Sequence, residues 1–435
     1  MGFQQALSGL DASTSQLDAI GNNIANANTV GFKASSTQFA DVFAASLNGA
    51  GTNQTGIGTR VSAITQNFAQ GNITASNNSL DMAINGQGFF RMSQNGSISY
   101  SREGQFQLDK NGYLTNAQGL QVTGYQADAN GKIVAATPVA LTIPTANLSP
   151  SATANATVGL NLDATSTTPT GTTFNPLDPT TFNNSTSLTI YDSLGNSHIA
   201  TLYFSLDKPA NTTATTANPS VTATWSTFLT VDGSTVNLAT PLTGGAQTSA
   251  IATLGFTSSG SLVYPPAASP LKLGQLQVSV PLTNGANTPQ KLTLDFSATS
   301  QYGAPFGVNQ LSQDGFTSGQ LSGFSTSADG VIQGRYSNGQ SKDLGQIVLA
   351  NFTAPQGLEP LGNGQWAEST ASGSALVGAP STGNLGVIQA GATEASNVNL
   401  TTELVDMITA QRDYQANAQA IKTEDQIQQT LVNLR

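Results

Sequence analysis

His198 is the one histidine in the chain and stands in DSLGNSHIATLYF beside Ser197, with Asp192 close upstream. Serine, histidine and aspartate could build a nucleophilic triad, but a triad is defined by roles in space, and most chains place Ser and Asp near a histidine. We read His198 as a strand-edge residue. Cysteine is absent, which removes disulfides, thiolate zinc, iron–sulfur clusters and thiol nucleophiles, and one histidine cannot supply a multi-histidine metal site. Gly49, Gly51, Gly56 and Gly58 lie in a glycine-rich stretch without the following lysine that a phosphate-cradling loop requires. Glu424 and Asp425 are adjacent on an expected helix, where neighbours point to different faces and do not converge for acid–base work. Asn-x-Ser/Thr triplets at Asn72, Asn155 and Asn211 arise by chance in a chain this rich in those residues. Neither a cofactor nor a metal is expected, and no enzyme signature survives.

The elements that would position such residues are of two kinds. Near the N-terminus Phe3, Leu7, Leu10, Thr14, Leu17, Gly21 and Ile24 alternate at spacings of four and three, with Ala6 and Ile20 flanking them. Near the C-terminus Leu404, Met407, Gln411, Tyr414, Ala418 and Ile421 do the same, flanked by Ile408, and the stripe then shifts onto Ile427 and Leu431. Both patterns are coiled-coil-type seams. No Gly or Pro interrupts the chain from Ala392 to Arg435, and Asn399 is placed to cap a long helix starting near Leu400. Such a helix is too long for a small domain to cover, so the two terminal helices are expected to pair with each other, leaving apolar flanks either to pack on the chain's own β domains or for self-association.

Between them short apolar or alternating runs, such as FFRM, IATLYFSL and QIVLANF, are punctuated by Asn95-Gly96, Asp232-Gly233 and Asn363-Gly364. This is the chemistry of antiparallel hairpins. Composition shifts divide the chain into a terminal helical core domain (1–35 and 389–435), a flexible connector (36–64), an inner β domain (65–146 and 298–388) and an inserted outer β domain (147–297). The expected class is α+β: paired long terminal α-helices, coiled-coil-like, with two mainly antiparallel β domains nested discontinuously between them.

Only 9% of residues are charged, against about 25% in ordinary soluble domains, and the net charge is −10. With 14 scattered Lys and Arg there is no basic stripe for nucleic acid. No apolar run approaches the ~18 residues of a membrane span, so no membrane insertion is expected. The first twenty residues lack the basic and apolar regions of a cleaved secretory signal.

NNIAN (Asn22, Asn23, Ile24, Ala25, Asn26) followed by TVGFK (Thr29 to Lys33) resembles the N-terminal signature of bacterial flagellar rod and hook axial proteins. The C-terminal stretch from Glu394 resembles the partner signature, and residues 98–125 and 344–352 are similar to the inner domain of hook proteins in particular. The resemblance implies copies of itself stacked helically around a channel, with the terminal helices innermost and the inserted domain outermost. It further implies a flagellar hook location, contact with the distal rod, hook cap and hook–filament junction proteins, and export unfolded through the flagellar type III apparatus. Gly31 is expected to take a tight turn and Asn22, Asn23 and Asn26 to bond backbone groups where the helix ends, with Phe32 and Lys33 completing the signature. Rival readings are a distal rod subunit, disfavoured by the large insertion, and a secreted β-rich adhesin, disfavoured by 7% aromatic residues.

Overall fold

A computed structural model describes residues 2–42, 56–128, 131–171, 173–207, 221–236, 250–265 and 270–433. The chain is α+β, with helix α1 at Gly2–Ala25, helix α2 at Leu400–Asn433, and strands between them that pair mostly antiparallel. Helix α2 begins where Asn399 Oδ1 accepts the backbone N–H groups of Thr401 (3.0 Å) and Thr402 (3.3 Å), satisfying donors that a helix start leaves free.

The helices run antiparallel, since Asn23 bonds Glu403 near one end while Gly9 faces Asn417 further along. Their contact face differs from the leucine seams. On α1 the buried residues are Ala6, Ala12, Ser13, Ile20 and Asn23, whereas Leu7 is exposed and Leu10, Leu17 and Ile24 are only half-buried. Small residues win because the helices come close: a Cβ at Gly9 would stand 2.8 Å from the Asn417 side-chain amide. On α2 the covered face follows Glu403, Met407, Ala410, Asn417, Ile421 and Glu424 at four–three spacing, with Ala418 also half-buried beside it, one column away from the expected Leu404 and Gln411. Met407, Ala418 and Ile421 of the expected stripe are half-buried, and Leu404 is exposed. By the same register the N-terminus of α1 stands opposite residues near 424, so the last turns of the longer α2 extend past it.

The connector expected at 36–64 is not loose at its ends. Ser35–Val42 and Gly58–Gln66 form an antiparallel ribbon that packs along α1, held by Gln5 Nε2 donating to Gly56 O (2.5 Å) and Thr59 N–H donating to Ser8 Oγ (3.2 Å). The glycine-rich composition masked the alternation in SSTQFADV and GTRVSAITQ; residues 43–55 of that connector lie outside the described residues.

Two compact units divide the chain, residues 1–145 with 322–335 and 341–435 in one, and 146–321 with 336–340 in the other. The helices thus belong to the same unit as the first β region. Its strands gather around Phe89, Tyr100, Phe352, Leu358 and Trp366, with Phe68 against them. The rings meet edge to face, Phe89 to Trp366 at 5.7 Å and Tyr100 to Phe352 at 4.8 Å between centroids. Asn95 and Gly96 both have positive φ (50° and 90°), the type I′ geometry that joins Phe89–Gln94 to Ser97–Ser101.

The second unit packs two sheets over one core. Asn184–Tyr191, Ser197–Leu206, Ala223–Val231, Ala252–Phe256 and Leu262–Tyr264 form one; Gln275–Val280, Gln290–Asp295, Asn155–Asp163 and Ser300–Tyr302 form the other. The boundary expected at 297/298 falls at 321/322 instead. Ser300–Tyr302 pairs parallel, and Gly307–Gln313 antiparallel, with Asn155–Asp163, so the segment from Ser297 to Gly307 lies inside this unit and not at its edge. Leu160 and Leu162 point from that strand into a core with Trp225, Phe256 and Phe296. Replacing Leu160 by Ala is expected to cost about 2–5 kcal/mol of this unit's stability, read as a shift of its urea midpoint in the full chain.

Candidate functional site

Lys33, the last residue of the N-terminal signature, is 1% exposed. A buried ammonium is costly unless paired, and its partners come from distant parts of the chain. Lys33 Nζ donates to Glu394 Oε1 at 2.6 Å and to Ala69 O at 2.8 Å. Glu394, from the short strand Ala392–Glu394 that precedes α2, has no exposure and also accepts the Gly71 N–H on Oε1 (2.8 Å) and Arg102 Nη1 on Oε2 (3.0 Å). Arg102 follows the strand Ser97–Ser101, donates Nη2 to Gly86 O (2.9 Å), and lies over the Phe89 ring at 5.3 Å. Burial lowers the pKa of both Lys33 and Arg102 despite the opposing pull of Glu394, as expected where two cations share one carboxylate.

The signature residues around Lys33 lock the same junction. Gly31 has φ +73°, its N–H donates to Glu394 O (2.8 Å), and a Cβ there would stand 2.7 Å from the Arg102 carbonyl carbon. Asn23 exchanges two bonds with Ser35, donating to its carbonyl and accepting its N–H, each at 2.8 Å, and donates to Glu403 Oε1 at 3.1 Å. It therefore ties α1 to α2 and to the ribbon. Asn26 Nδ2 donates to Asn22 O (3.0 Å) and Asn26 Oδ1 accepts from Thr29 Oγ1 (3.1 Å), which close the helix end. Phe32 is half-buried and shares a cleft with Gln66 and Trp366. Arg102 and Glu394 were not singled out by the sequence as site residues, although both lie in the stretches that carry the family resemblance, 98–125 and from Glu394 onward.

The seam residues lie elsewhere, along the helix pair. Ile20 is buried; Leu10, Leu17, Ile24, Met407, Ala418 and Ile421 are half-buried; Leu7, Leu404, Ile408, Tyr414 and Ile427 are between 38% and 50% exposed. The Leu431 side chain lies outside the described residues. Phe3, Leu400 and Val405 add to the exposed set. No described helix is long and apolar enough to cross a membrane.

Glu394→Gln would leave Lys33 and Arg102 buried and undercompensated, at an expected cost of about 3–5 kcal/mol in denaturant unfolding of the unpolymerised chain. Gly31→Ala should destabilise by more than about 1 kcal/mol in the same assay, because its Cβ meets backbone and its φ is unfavourable.

Four family models match in chain order: a flagella basal body rod protein model at 3–33, a flagellar hook protein FlgE/F/G D1 domain at 83–166, a flagellar basal body protein FlaE D2 domain at 161–316, and a flagellar basal body rod FlgEFG protein C-terminal model at 389–434. The flagellar hook protein FlgE of Salmonella typhimurium is 41% identical over 454 residues, and that of Escherichia coli 41% over 438, each covering 100% of both chains. The Borreliella burgdorferi hook protein is 32% identical, covering 99% of this chain and 98% of its own. The crystal structure of Helicobacter pylori FlgE2 shares the fold at 14% identity, with a TM-score of 0.52 over 73% of this chain and 99% of its own. With full-length relatives at this identity, and matches running from the first helix through the insertion to the last, the chain belongs to the flagellar hook protein family.

Proposed function

We propose that this structural subunit of the bacterial flagellar hook assembles with copies of itself into a curved helical tube that bends while transmitting torque from rod to filament. The observation that carries the reading is the apolar surface left on the helix pair. Leu7, Leu404, Ile408 and Ile427 are each about half exposed on two helices that already cover one another. Covering the exposed half of one leucine contributes about 1 kcal/mol, so several per subunit, repeated along a tube, favour assembly strongly. The helices form the innermost layer, the β part of the first unit the middle layer and the second unit the outer one. A stiff inner tube carries torque; outer contacts poor in charge exchange partners with water and do not fix one register during bending.

The partners that follow are the distal rod protein below, the hook–filament junction protein above, and the hook cap protein during growth. Export proceeds unfolded through the flagellar type III apparatus to the cell exterior. Full-length coverage of hook relatives, large insertion included, favours the hook over the distal rod.

Leu404→Asp is expected to leave the isolated subunit's melting almost unchanged, because the side chain is 50% exposed, yet to abolish tube formation in electron micrographs. Ile421→Asp, half-buried against α1, should lower both. Normal tubes from Leu404→Asp would refute the assignment of that face. Removing residues 146–321 should leave tubes that assemble with altered curvature.

A further inference from the structure

In the second unit three turns converge on His198, whose side chain is 11% exposed. Its Nδ1 lies 2.6 Å from Asp232 Oδ2, at the tip of the hairpin joining Ala223–Val231 to Ser234–Thr235. Its Nε2 lies 3.2 Å from Asp192 Oδ2, in the turn between Asn184–Tyr191 and Ser197–Leu206. Asp192 has no exposure; its carboxylate accepts the N–H groups of Leu194 (2.8 Å) and Asn196 (2.9 Å), Asn196 Nδ2 (3.0 Å) and Asn284 Nδ2 (2.6 Å). Asp232 Oδ1 accepts the Ile199 N–H at 2.9 Å.

A carboxylate only accepts, so each ring nitrogen facing one must donate. Neutral imidazole has a single N–H and satisfies one carboxylate; imidazolium satisfies both. Burial alone would favour the neutral ring, but the hydrogen bonds and charges of Asp232 and Asp192 outweigh it and raise the His198 pKa. Burial also opposes the charge on Asp192, yet the Asn196, Asn284 and His198 bonds hold its carboxyl well below the usual range; Asp232 is lowered in the same way by His198 and Ile199. Among the described residues the charged groups bonded to the ring are the two aspartates. From the third turn Asn284, uncharged, places Nδ2 3.4 Å from Nε2.

We propose that His198 is a proton-linked brace for one end of the second unit. Protonated, it clamps the Asp192 turn to the Asp232 hairpin. Deprotonated, it keeps its bond to Asp232, releases Asp192, and leaves Nε2 as an acceptor for Asn284. Leu194 in the released turn and Ile199 on the adjoining strand are 56% and 60% exposed, so the brace sets how firmly this apolar surface is held. Because the folded pKa lies above the unfolded value of 6.5, the stabilisation is complete below about that pH and is lost as pH rises through the folded value.

With one histidine in the chain, its ring gives a single Hε1 resonance to follow by NMR in the full-length, unpolymerised subunit. The resonance should titrate with a midpoint above the ordinary ~6.5, and Asp232→Asn should move that midpoint to lower pH. The melting transition of the second unit should fall between about pH 6 and about pH 9, and His198→Gln should flatten that dependence. A wild-type midpoint at or below the ordinary value would overturn the brace without any variant having to fold. An unmoved midpoint in Asp232→Asn, or the same pH dependence of melting in His198→Gln, would also overturn it.

Discussion

One buried carboxylate holds the ends of the chain to its middle. Glu394 receives Lys33 from the segment after α1, Arg102 from the inner sheet and the N–H of Gly71, and it lies six residues before α2 starts. Any arrangement in which one of these segments goes elsewhere leaves a charge in an apolar interior, at about 3–5 kcal/mol. Well-packed apolar residues of the same volume could be as stable, so the ion cluster contributes selectivity more than net stability. It specifies which strands the entering and leaving chain must touch, and thereby where α1 ends and α2 begins. The positive φ of Gly31, the close approach of its Cα to Arg102 and the Asn23 bonds to Ser35 and Glu403 all serve that same junction.

Given that anchor, the helix pair can afford a thin inner face. Gly9 lets the helices approach closely, and the buried Ala6, Ala12, Ser13 and Ala410 contribute little apolar area. Stability of the pair in one subunit therefore leans on the junction, and the larger leucine and isoleucine side chains remain outside. That division is what the polymer proposed above requires, an apolar helical surface that a single subunit leaves uncovered. A chain with 9% charge brings little repulsion to such crowding.

Helix existence, the Asn399 cap and the hairpin turns were legible in the sequence because each is a local rule written in a few adjacent residues. The inward face of the helices was not. Leu7 and Leu404 outrank Ala6 and Ala410 in hydrophobicity, and only the close approach at Gly9 makes the small column the covered one. At the two ends of the connector, glycine, alanine and asparagine hid two strands that pair with each other and pack along α1. The second boundary was misread because Asn155–Asp163 joins strands from far along the chain, a pairing no local pattern encodes. Signature residues Gly31 and Lys33 could be picked out, but their reason, Arg102 and Glu394, is non-local.

The central claim is that the apolar helical surface left open in the subunit is the surface that builds the polymer. Electron cryo-microscopy of the assembled tube tests it most directly. The account predicts the terminal helices innermost, with Leu7, Leu404 and Ile408 buried against neighbouring copies; helices on the outer surface, or those three residues still facing solvent in the tube, would contradict it.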